Sequence, residues 1–296
     1  MTAPTPRRRE VLLLAGVSMK DIKLRIRSME NTKQITKAME MVAASKLRRA
    51  QDRVAHSRPY FETLYQTLCT IAEKTEDFDS PYLAEREVKK VCYVVFAGDR
   101  GLAGGYNNNV LKMAYGEMQD KNACVLPIGK RAVEFFRRRG IPILTEAYAE
   151  AADISISECF TASKLLCRLF LNEEFDEIYV IYTTFVSILS QVPTERKILP
   201  LPRTGKEKTG DPTCLTLYEP SSFEVFDAII PVYLGGIIYG ALCESVASEQ
   251  GARRTAMDAA TKNAEEMIDD LSLKYNRARQ GAITQEITEI VAGGEK

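Results

Sequence analysis

The chain has 296 residues, of which 45% are apolar, so it is long enough for one large domain or two modest ones with a packed core. Lys and Arg together number 40 and so do Asp and Glu, so net charge gives no indication of nucleic-acid binding, and no nucleic-acid partner is expected. No run of 18 apolar residues is present, and we expect no membrane-spanning helix. Seven cysteines without CxxC spacing indicate reduced, mostly buried thiols, and the single histidine, His56, argues against a histidine-based metal site or catalytic triad.

Residues 1–18 differ from the rest of the chain. Three arginines precede the short apolar run VLLLAGV, which is too short for a signal peptide and only weakly resembles a transit peptide. We expect a disordered or over-extended N-terminus, with Met19 as the effective start.

Residues 19–75 are predicted to form one long helix. The range contains no glycine, and Pro59 is its only proline. Its apolar residues step mostly by three or four, which is the spacing of one helix face. The members of this stripe are Ile22, Ile26, Met29, Ile35, Met39, Val42, Leu47, Ala50 and Val54. Residues 19–60 hold 11 Lys and Arg against 4 Asp and Glu, so this helix is basic.

Residues 88–203 are predicted to form a central α/β domain. Strand-like runs (VKKVCYVVFAG, ACVLPIG, IPILTE and DEIYVIYTTFV) alternate with helical patterns (NNVLKMAYGEMQ, KRAVEFFRRRG and SISECFTASKLLCRLFLNEE). This alternation is typical of a mostly parallel sheet covered on both faces. The proline-containing run QVPTERKILPLP suits an added edge strand.

Residues 204–220 read as a polar, mobile link, and residues 221–292 as a second long helix. Ser221 and Ser222 are candidate N-caps, whereas Pro231 and the pair Gly235–Gly236 should bend the early part or delay its straight start. A narrow seam rich in small residues follows. Its members are Leu234, Ile237, Ala241, Ser245, Ser248, Ala252, Thr255, Ala259, Met267, Leu271, Tyr275 and Ala278. Residues 219–296 hold 13 acidic and 7 basic side chains.

Two long helices of opposite charge therefore lie at opposite ends of the chain. At 1.5 Å per residue the second reaches on the order of 100 Å, against roughly 30 Å for a compact domain. The economical arrangement is an antiparallel coiled coil that forms a shaft. A dimerisation arm or scaffold made of long helices is the alternative.

The loop GDRGLAGGYNNN, from Gly98, lies between a predicted strand and a predicted helix, where a nucleotide phosphate could bind. Its glycine spacing is not GxGxxG, and no Gly-Lys-Ser/Thr follows to reach phosphates and Mg²⁺. We expect a tight turn whose glycines allow positive φ and close packing, with Asn107, Asn108 and Asn109 as caps of the next helix, and no nucleotide or other cofactor.

Four stretches together resemble the gamma subunit of F-type ATP synthase, of the bacterial type. They are MKDIKLRIRSMENTKQITKAMEMVAASKLRRAQ, GDRGLAGGYN, ASEQGARRTAMDAATKNAEEMI and YNRARQGAITQEITEIVAGGE, the last of which carries the family signature. The resemblance covers residues 19–293. Ala103 stands where the family often has cysteine, and the dithiol-bearing insertion of chloroplast forms has no counterpart.

The resemblance implies a two-helix coiled coil joined to a Rossmann-like α/β domain. It implies a non-catalytic rotor shaft inside a hexamer of alpha and beta subunits, bound at its foot to the epsilon subunit and the membrane c-ring. Proton flow would turn the ring and shaft, which would drive the three beta sites through different nucleotide affinities. The chain would then be peripheral to the cell membrane on its cytoplasmic side.

The resemblance also implies contact residues. Met39, Arg279, Gln280, Thr284 and Glu286 would contact the beta subunits, and Tyr218 and Glu219 would contact the c-ring or epsilon subunit. Met39 could instead be a seam residue, Arg279 a partner of the helix dipole and Glu219 a solvated charge. Catalytic and metal-binding residues are not expected. Two other functions stay open: a self-associating coiled-coil scaffold and, with less support, a nucleotide-binding α/β enzyme with a helical arm.

Overall fold

A computed structural model describes residues 18–74, 80–84, 86–151, 154–201 and 219–293. The predicted N-terminal extension (residues 1–17) and most of the predicted link (residues 202–218) lie outside these ranges. The chain divides into two compact units, one of residues 43–255 and one of residues 1–42 with 256–296.

The described elements are five helices longer than one turn and four strands, and two of the helices pass from one unit into the other. The helices are α1 (Met19–Lys74), α2 (Tyr106–Met118), α3 (Lys130–Arg138), α4 (Ile156–Leu171) and α5 (Ser222–Gly293). The strands are β1 (Val91–Phe96), β2 (Ala123–Ile128), β3 (Glu177–Phe185) and β4 (Gln191–Leu199). A single 3-10 turn, Pro81–Leu83, follows α1.

The sheet of the larger unit has the order β2-β1-β3-β4. β1 pairs in parallel with β2 and β3, whereas β4 pairs antiparallel with β3. All six residues of β1 are buried, because helices cover a central parallel strand on both faces. The mostly parallel sheet and the added edge strand are thus confirmed, and the structure shows that this edge strand is antiparallel. Pro127 and Pro193 both lie on edge strands, where a missing backbone donor is tolerated.

The predicted strand over residues 141–146 is wrong. Only one isolated bridge forms there, between Val125 of β2 and Ile143. The backbone N–H of Val125 donates to Pro142, and Leu144 donates back to Val125. The chain then bends toward the carboxyl end of β2, where Gly129 donates to Tyr148, so the ladder does not continue.

The two faces of the sheet bury separate cores. One face packs against α4 and α5, with Leu166, Phe170, Ile230 and Leu234 fully buried. The opposite face packs against α2 and α3 through Val110, Ala114 and Phe136, among others. Each of the larger apolar side chains stabilises the fold by about 1.5–3 kcal/mol relative to exposure. The Rossmann-like arrangement therefore follows from sheet burial on both sides.

α5 begins at Ser222, with the Ser221 hydroxyl accepting a hydrogen bond from the Glu224 backbone N–H at 3.2 Å. The helix is continuous through Pro231 and the pair Gly235–Gly236, and the predicted bend or late straight start there stays a prediction. These glycines make room for rings: a Cβ on Gly235 would lie 2.2 Å from Phe160, and one on Gly236 would lie 2.0 Å from Phe61.

The smaller unit is a pair of antiparallel helices. The Thr36 and Thr261 hydroxyls lie 2.7 Å apart, and one turn away Lys33 Nζ lies 2.9 Å from Glu265 Oε1. A lower number on α1 thus pairs with a higher number on α5. Both residues of the ion pair are more than 40% exposed, so the opposite charges of the two helices add little to pairing.

The predicted seam is partly out of register. Ile35 and Val42 of α1 are 60% and 55% exposed, and their neighbours Thr36 and Ala43 are buried instead. On α5 the predicted seam residues Thr255, Ala259 and Met267 are exposed, while the buried positions are Met257, Thr261 and Ala264. Small residues occupy the closest approach because they let two helix backbones come near each other.

One stretch of α5 is apolar enough to cross a membrane by length and composition alone, with a mean hydropathy of 1.8, and half of it is buried inside the protein. The absence of an uninterrupted apolar run therefore does not by itself exclude a membrane-spanning helix. Ile230, Leu234 and Ile238 on this helix belong to the core beneath the sheet. Six cysteines are free thiols, five of them buried, and Cys214 lies outside the described residues.

Candidate functional site

The glycine loop follows β1 and is held mainly by its own chain. Asn107, in the first turn of α2, accepts a hydrogen bond from the Gly98 backbone N–H at 2.8 Å and donates to the Arg100 carbonyl at 3.2 Å. The Asp99 carboxylate accepts from the backbone N–H groups of Lys130 and Ala151 at 3.1 and 3.0 Å. The loop is therefore tied to the start of α3 and to the segment before α4.

The predicted capping role of the three asparagines is wrong. The N-cap of α2 is Gly105, which makes no side-chain cap, and Asn107 is directed back into the loop. Positive φ angles occur at Gly104 (54°) and Leu102 (63°). At Gly129 (φ 100°) a Cβ would lie 2.0 Å from the Ala97 carbonyl oxygen, so the end of β1 requires glycine beside it.

A half-buried ion pair on α5 closes the loop from the other side. Arg253 Nη2 lies 2.5 Å from Glu249 Oε1, and both side chains are only 12% exposed. The same nitrogen donates to the Gly101 carbonyl at 3.2 Å. A Cβ on Gly98 would lie 2.8 Å from the Glu249 carboxyl group, so this carboxylate packs directly on the loop. These contacts make the loop a joint between the sheet and α5, and the absence of a bound nucleotide stays a prediction.

The four predicted beta-subunit contacts on α5 are all exposed. Arg279, Gln280, Thr284 and Glu286 lie within two turns of one another. Thr284 donates its hydroxyl to the Gln280 carbonyl at 2.9 Å, so that hydroxyl bonds within its own helix. α5 continues past Gly281 to Gly293, so the four residues lie on one continuous helix.

An apolar stripe that sequence reasoning missed runs between these polar residues. Ile283, Ile287 and Ile290 are 47%, 56% and 74% exposed. With 3.6 residues per turn they fall within an arc of about 60°. The same geometry places Arg279 and Glu286 on one side of the arc and Gln280 and Thr284 on the other. We name these three isoleucines the isoleucine stripe. Their spacing of four and three residues in the sequence indicates one helix face and could have identified the stripe.

The helix pair ends before this stripe. Continuing the register set by Thr36 and Thr261 places Met19, the start of α1, opposite about residue 278 of α5. From residue 279 to residue 292 every described residue is exposed except Ala282, which is half-buried. The isoleucine stripe is thus not covered by any described part of the chain.

Met39 lies at the border between two faces of α1. The buried residues Thr36 and Ala43 are three and four positions away, on the seam side. On the other side lie the exposed Ile35 and Val42. Met39 itself is half-buried, which agrees with a residue that contributes to the seam and also reaches the surface.

Of the two residues predicted to contact the c-ring or epsilon subunit, the structure describes only Glu219. Glu219 is exposed, three residues before α5 begins. Tyr218 lies outside the described residues. Glu219 lies in the larger unit, and the isoleucine stripe lies in the smaller one.

Comparison with known proteins decides the family. A family model described as ATP synthase matches residues 18–295. The ATP synthase gamma chain of Alkaliphilus metalliredigens is 46% identical over 285 residues, which cover 95% of this chain and 99% of the relative. The chain belongs to the ATP synthase gamma-chain family.

Other gamma chains give the same picture. The gamma chain of Ruminococcus albus is 44% identical over 92% of this chain and 96% of its own length. A relative from Acetobacterium woodii, named as a sodium ion specific ATP synthase gamma chain, is 42% identical over 94% of this chain and 98% of its own length.

Solved structures share the gamma-chain fold. A chain of the Euglena gracilis mitochondrial ATP synthase, from a structure titled OSCP/F1/c-ring in rotational state 3, has a TM-score of 0.62 at 16% identity and covers 93% of each chain. A chain from the rotor of the same enzyme in rotational state 1 has a TM-score of 0.60 at 18% identity, over 90% of this chain and 98% of that one. At 16% and 18% identity, these comparisons show only that the fold is shared.

Proposed function

We propose that this gamma chain is the central rotor shaft of an F-type ATP synthase and performs no chemistry itself. The single observation that carries this proposal is the isoleucine stripe, exposed on α5 beyond the end of the helix pair and bordered by Arg279, Glu286, Gln280 and Thr284. An apolar stripe left exposed on a long helix is the type of surface that a protein partner covers.

The partner at this end is a ring of alpha and beta subunits. A contact that must break at every rotation step needs enough apolar area to centre the shaft, without a large area that would lock it. Three isoleucines on a single helix meet this requirement, and the flanking Arg279 offers a planar five-donor fork suited to a carboxylate on a beta subunit. Met39, on the border of the seam, would contact a beta subunit beside the helix pair.

The foot of the shaft would contact the epsilon subunit and the membrane c-ring through Tyr218 and Glu219. Proton flow through the ring would turn the shaft, and the shaft would drive the beta subunits in sequence through their nucleotide affinities. The chain would thereby serve ATP synthesis and hydrogen ion transport as a peripheral subunit on the cytoplasmic side of the cell membrane.

The proposal is tested with Ile287→Asp in the chain co-expressed with alpha and beta subunits. An aspartate would place a charge in the apolar contact with the partner subunits, and about 1.5–3 kcal/mol from burial of the isoleucine would be lost. We expect co-purification or ATP hydrolysis by the assembled complex to fall several-fold.

Gln285→Asp is the matched control, because it adds the same charge on the opposite side of α5, where Gln285 is exposed. Equal behaviour of the two variants would contradict the proposal. A stable homodimer of the purified chain that Ile287→Asp dissociates would instead favour the self-associating scaffold.

A further inference from the structure

The hairpin that joins β3 to β4 ends in a loop rich in aliphatic residues. We name residues 186–190 (VSILS) the hairpin tip. Val186, Ile188 and Leu189 are 63%, 37% and 84% exposed. Exposed turns usually contain Gly, Asn, Asp or Ser, for which backbone geometry and local hydrogen bonding give a reason. Ile188 and Leu189 do not have a positive φ, so a polar residue would fit the same backbone. The aliphatic side chains therefore indicate a use outside the fold.

The backbone of the hairpin tip is fixed by hydrogen bonds. Its two serines exchange backbone hydrogen bonds at 3.0 and 3.2 Å, and only Ile188 and Leu189 connect them. The Gln191 side-chain amide donates to the Ile188 carbonyl at 2.6 Å, and the Thr255 hydroxyl of α5 lies 3.3 Å from the same oxygen. Leu189 thus projects from a backbone that is ordered before any partner binds, which lowers the entropic cost of binding.

Positive charge lies beside the hairpin tip. Residues 183–194 contain no charged side chain. At the base of the hairpin, Phe185 packs with Leu47 and Ala50 of α1. The exposed cations next to these two α1 residues are Lys46, Arg48 and Arg49. Residues 43–56 hold four basic side chains and one acidic one, so this part of the surface is cationic.

A projecting leucine next to cations matches a protein surface in which carboxylates surround an apolar pocket. A lipid bilayer matches less well, because interfacial binding uses a broad apolar helix face rather than one projecting side chain. A second copy of this chain also matches less well, because a symmetric contact between two hairpin tips would bring like charges together.

We propose that the hairpin tip is a docking point for an acidic surface of the ring of alpha and beta subunits. Leu189 enters an apolar pocket on the ring, and the cations of α1 face the carboxylates around that pocket. The hairpin tip belongs to the larger unit, whereas the isoleucine stripe belongs to the smaller one. The identity of the partner rests on the proposed rotor function.

The contact is tested in the full chain co-expressed with alpha, beta and epsilon subunits, with the photo-crosslinking residue benzoylphenylalanine in place of Leu189. The same residue in place of Leu171 is the matched control, because Leu171 is an exposed leucine of the larger unit at the end of α4. Peptide mass spectrometry identifies each crosslinked segment. We expect position 189 to capture an alpha or beta peptide with Asp or Glu next to the crosslink, and position 171 to capture none.

Other results at position 189 would overturn the proposal. They are capture of a second gamma chain, of the epsilon subunit or of lipid, no capture, and a yield equal to that of position 171. A ring peptide without an acidic residue near the crosslink would overturn the charge match.

Benzoylphenylalanine in place of Ile287 separates this inference from the proposed function. Capture of the ring at position 287 but not at position 189 would overturn the docking point alone. Failure at both positions would overturn the docking point and the proposed function together. Capture at position 189 but not at position 287 would support the docking point and count against the isoleucine stripe as a contact.

The rate at which the chain dissociates from the ring measures the weight of the contact. Leu189→Asp should raise this rate by about tenfold, as loss of an anchor side chain does. The thermal midpoint of the purified chain should stay unchanged, because the side chain is exposed. Leu189→Met, which keeps an apolar side chain, and Leu171→Asp should both dissociate like the parent chain. A rate unchanged by Leu189→Asp, or raised equally by Leu171→Asp, would overturn the proposal.

Discussion

Removal of the arginine that closes the glycine loop tests the packing of the larger unit most directly. In Arg253→Met, the Glu249 carboxylate would stay 12% exposed without its cation, and the Gly101 carbonyl would lose a donor. The Glu249 carboxyl group also packs on the loop at Gly98, where a Cβ would lie 2.8 Å from it. Breaking a buried pair by removing one partner costs about 3–5 kcal/mol.

We take the lower end, about 3 kcal/mol, because both side chains retain some contact with water. For a unit of this size the loss corresponds to a melting temperature lower by roughly 6–12 °C. Urea unfolding of the purified chain measures it through tyrosine fluorescence, since the sequence has 13 tyrosines and no tryptophan. Hydrogen exchange at residues 98–105 should speed up in parallel.

Two further variants isolate the cause. Arg253→Met/Glu249→Leu removes both charges and replaces them with apolar side chains, so it should recover to within about 1 kcal/mol of the parent chain. Lys274→Met removes one partner of an exposed pair, in which Lys274 and Asp270 are 49% and 66% exposed, and should cost less than about 1 kcal/mol. The reasoning is refuted if Arg253→Met costs less than 1 kcal/mol or if the double variant is no better than Arg253→Met.

Four other substitutions have defined outcomes. Gly236→Ala should destabilise the protein by about 1–3 kcal/mol because its Cβ would lie 2.0 Å from the Phe61 ring. Gly240→Ala on the same helix meets nothing within 4 Å and should stabilise the protein by about 0.5–1 kcal/mol. Equal melting temperatures of the two variants would contradict this packing. Burial raises the pKa of Glu195, so its ionised form costs stability as pH rises through the folded-state value. Glu195→Gln should therefore be more stable than the parent chain at pH 8 and lose that advantage toward pH 4 in urea titrations. An advantage that grew on acidification would show the sign to be wrong. Arg279→Leu should lower steady-state ATP hydrolysis by the assembled complex while the helices stay paired, and wild-type turnover would mean that Arg279 only supports its helix.

Sequence periodicity predicted the two long helices and the alternating centre well, because each element buries a continuous apolar face. It failed at the seam for a physical reason. Hydrophobicity ranks Ile35 above Thr36 and Val42 above Ala43, but close helix approach selects small side chains and leaves the larger ones exposed. Strand prediction failed at residues 141–146, since a short apolar run cannot indicate that its ladder ends after one bridge.

The candidate contact residues came from family resemblance rather than from periodicity. Arg279, Gln280, Thr284 and Glu286 are exposed as a contact role requires, and that role stays a prediction. The spacing of the isoleucines in ITQEITEI indicates a helix face, but spacing alone does not show that this face is left exposed. Which helix face lies beyond the end of a partner helix depends on the register of the pair, and a single sequence does not specify that register.

The joining of the first helix to the last has a consequence for synthesis of the chain on the ribosome. Thr36 meets a partner 225 residues further along. At about 5–20 residues per second, the helix that emerges first waits roughly 10–45 s for the one that completes its seam. During that interval the apolar side chains of α1 have no native partner on the far helix. Until translation ends, the seam face of α1 can be covered only by a part of the chain other than its native partner or by another protein.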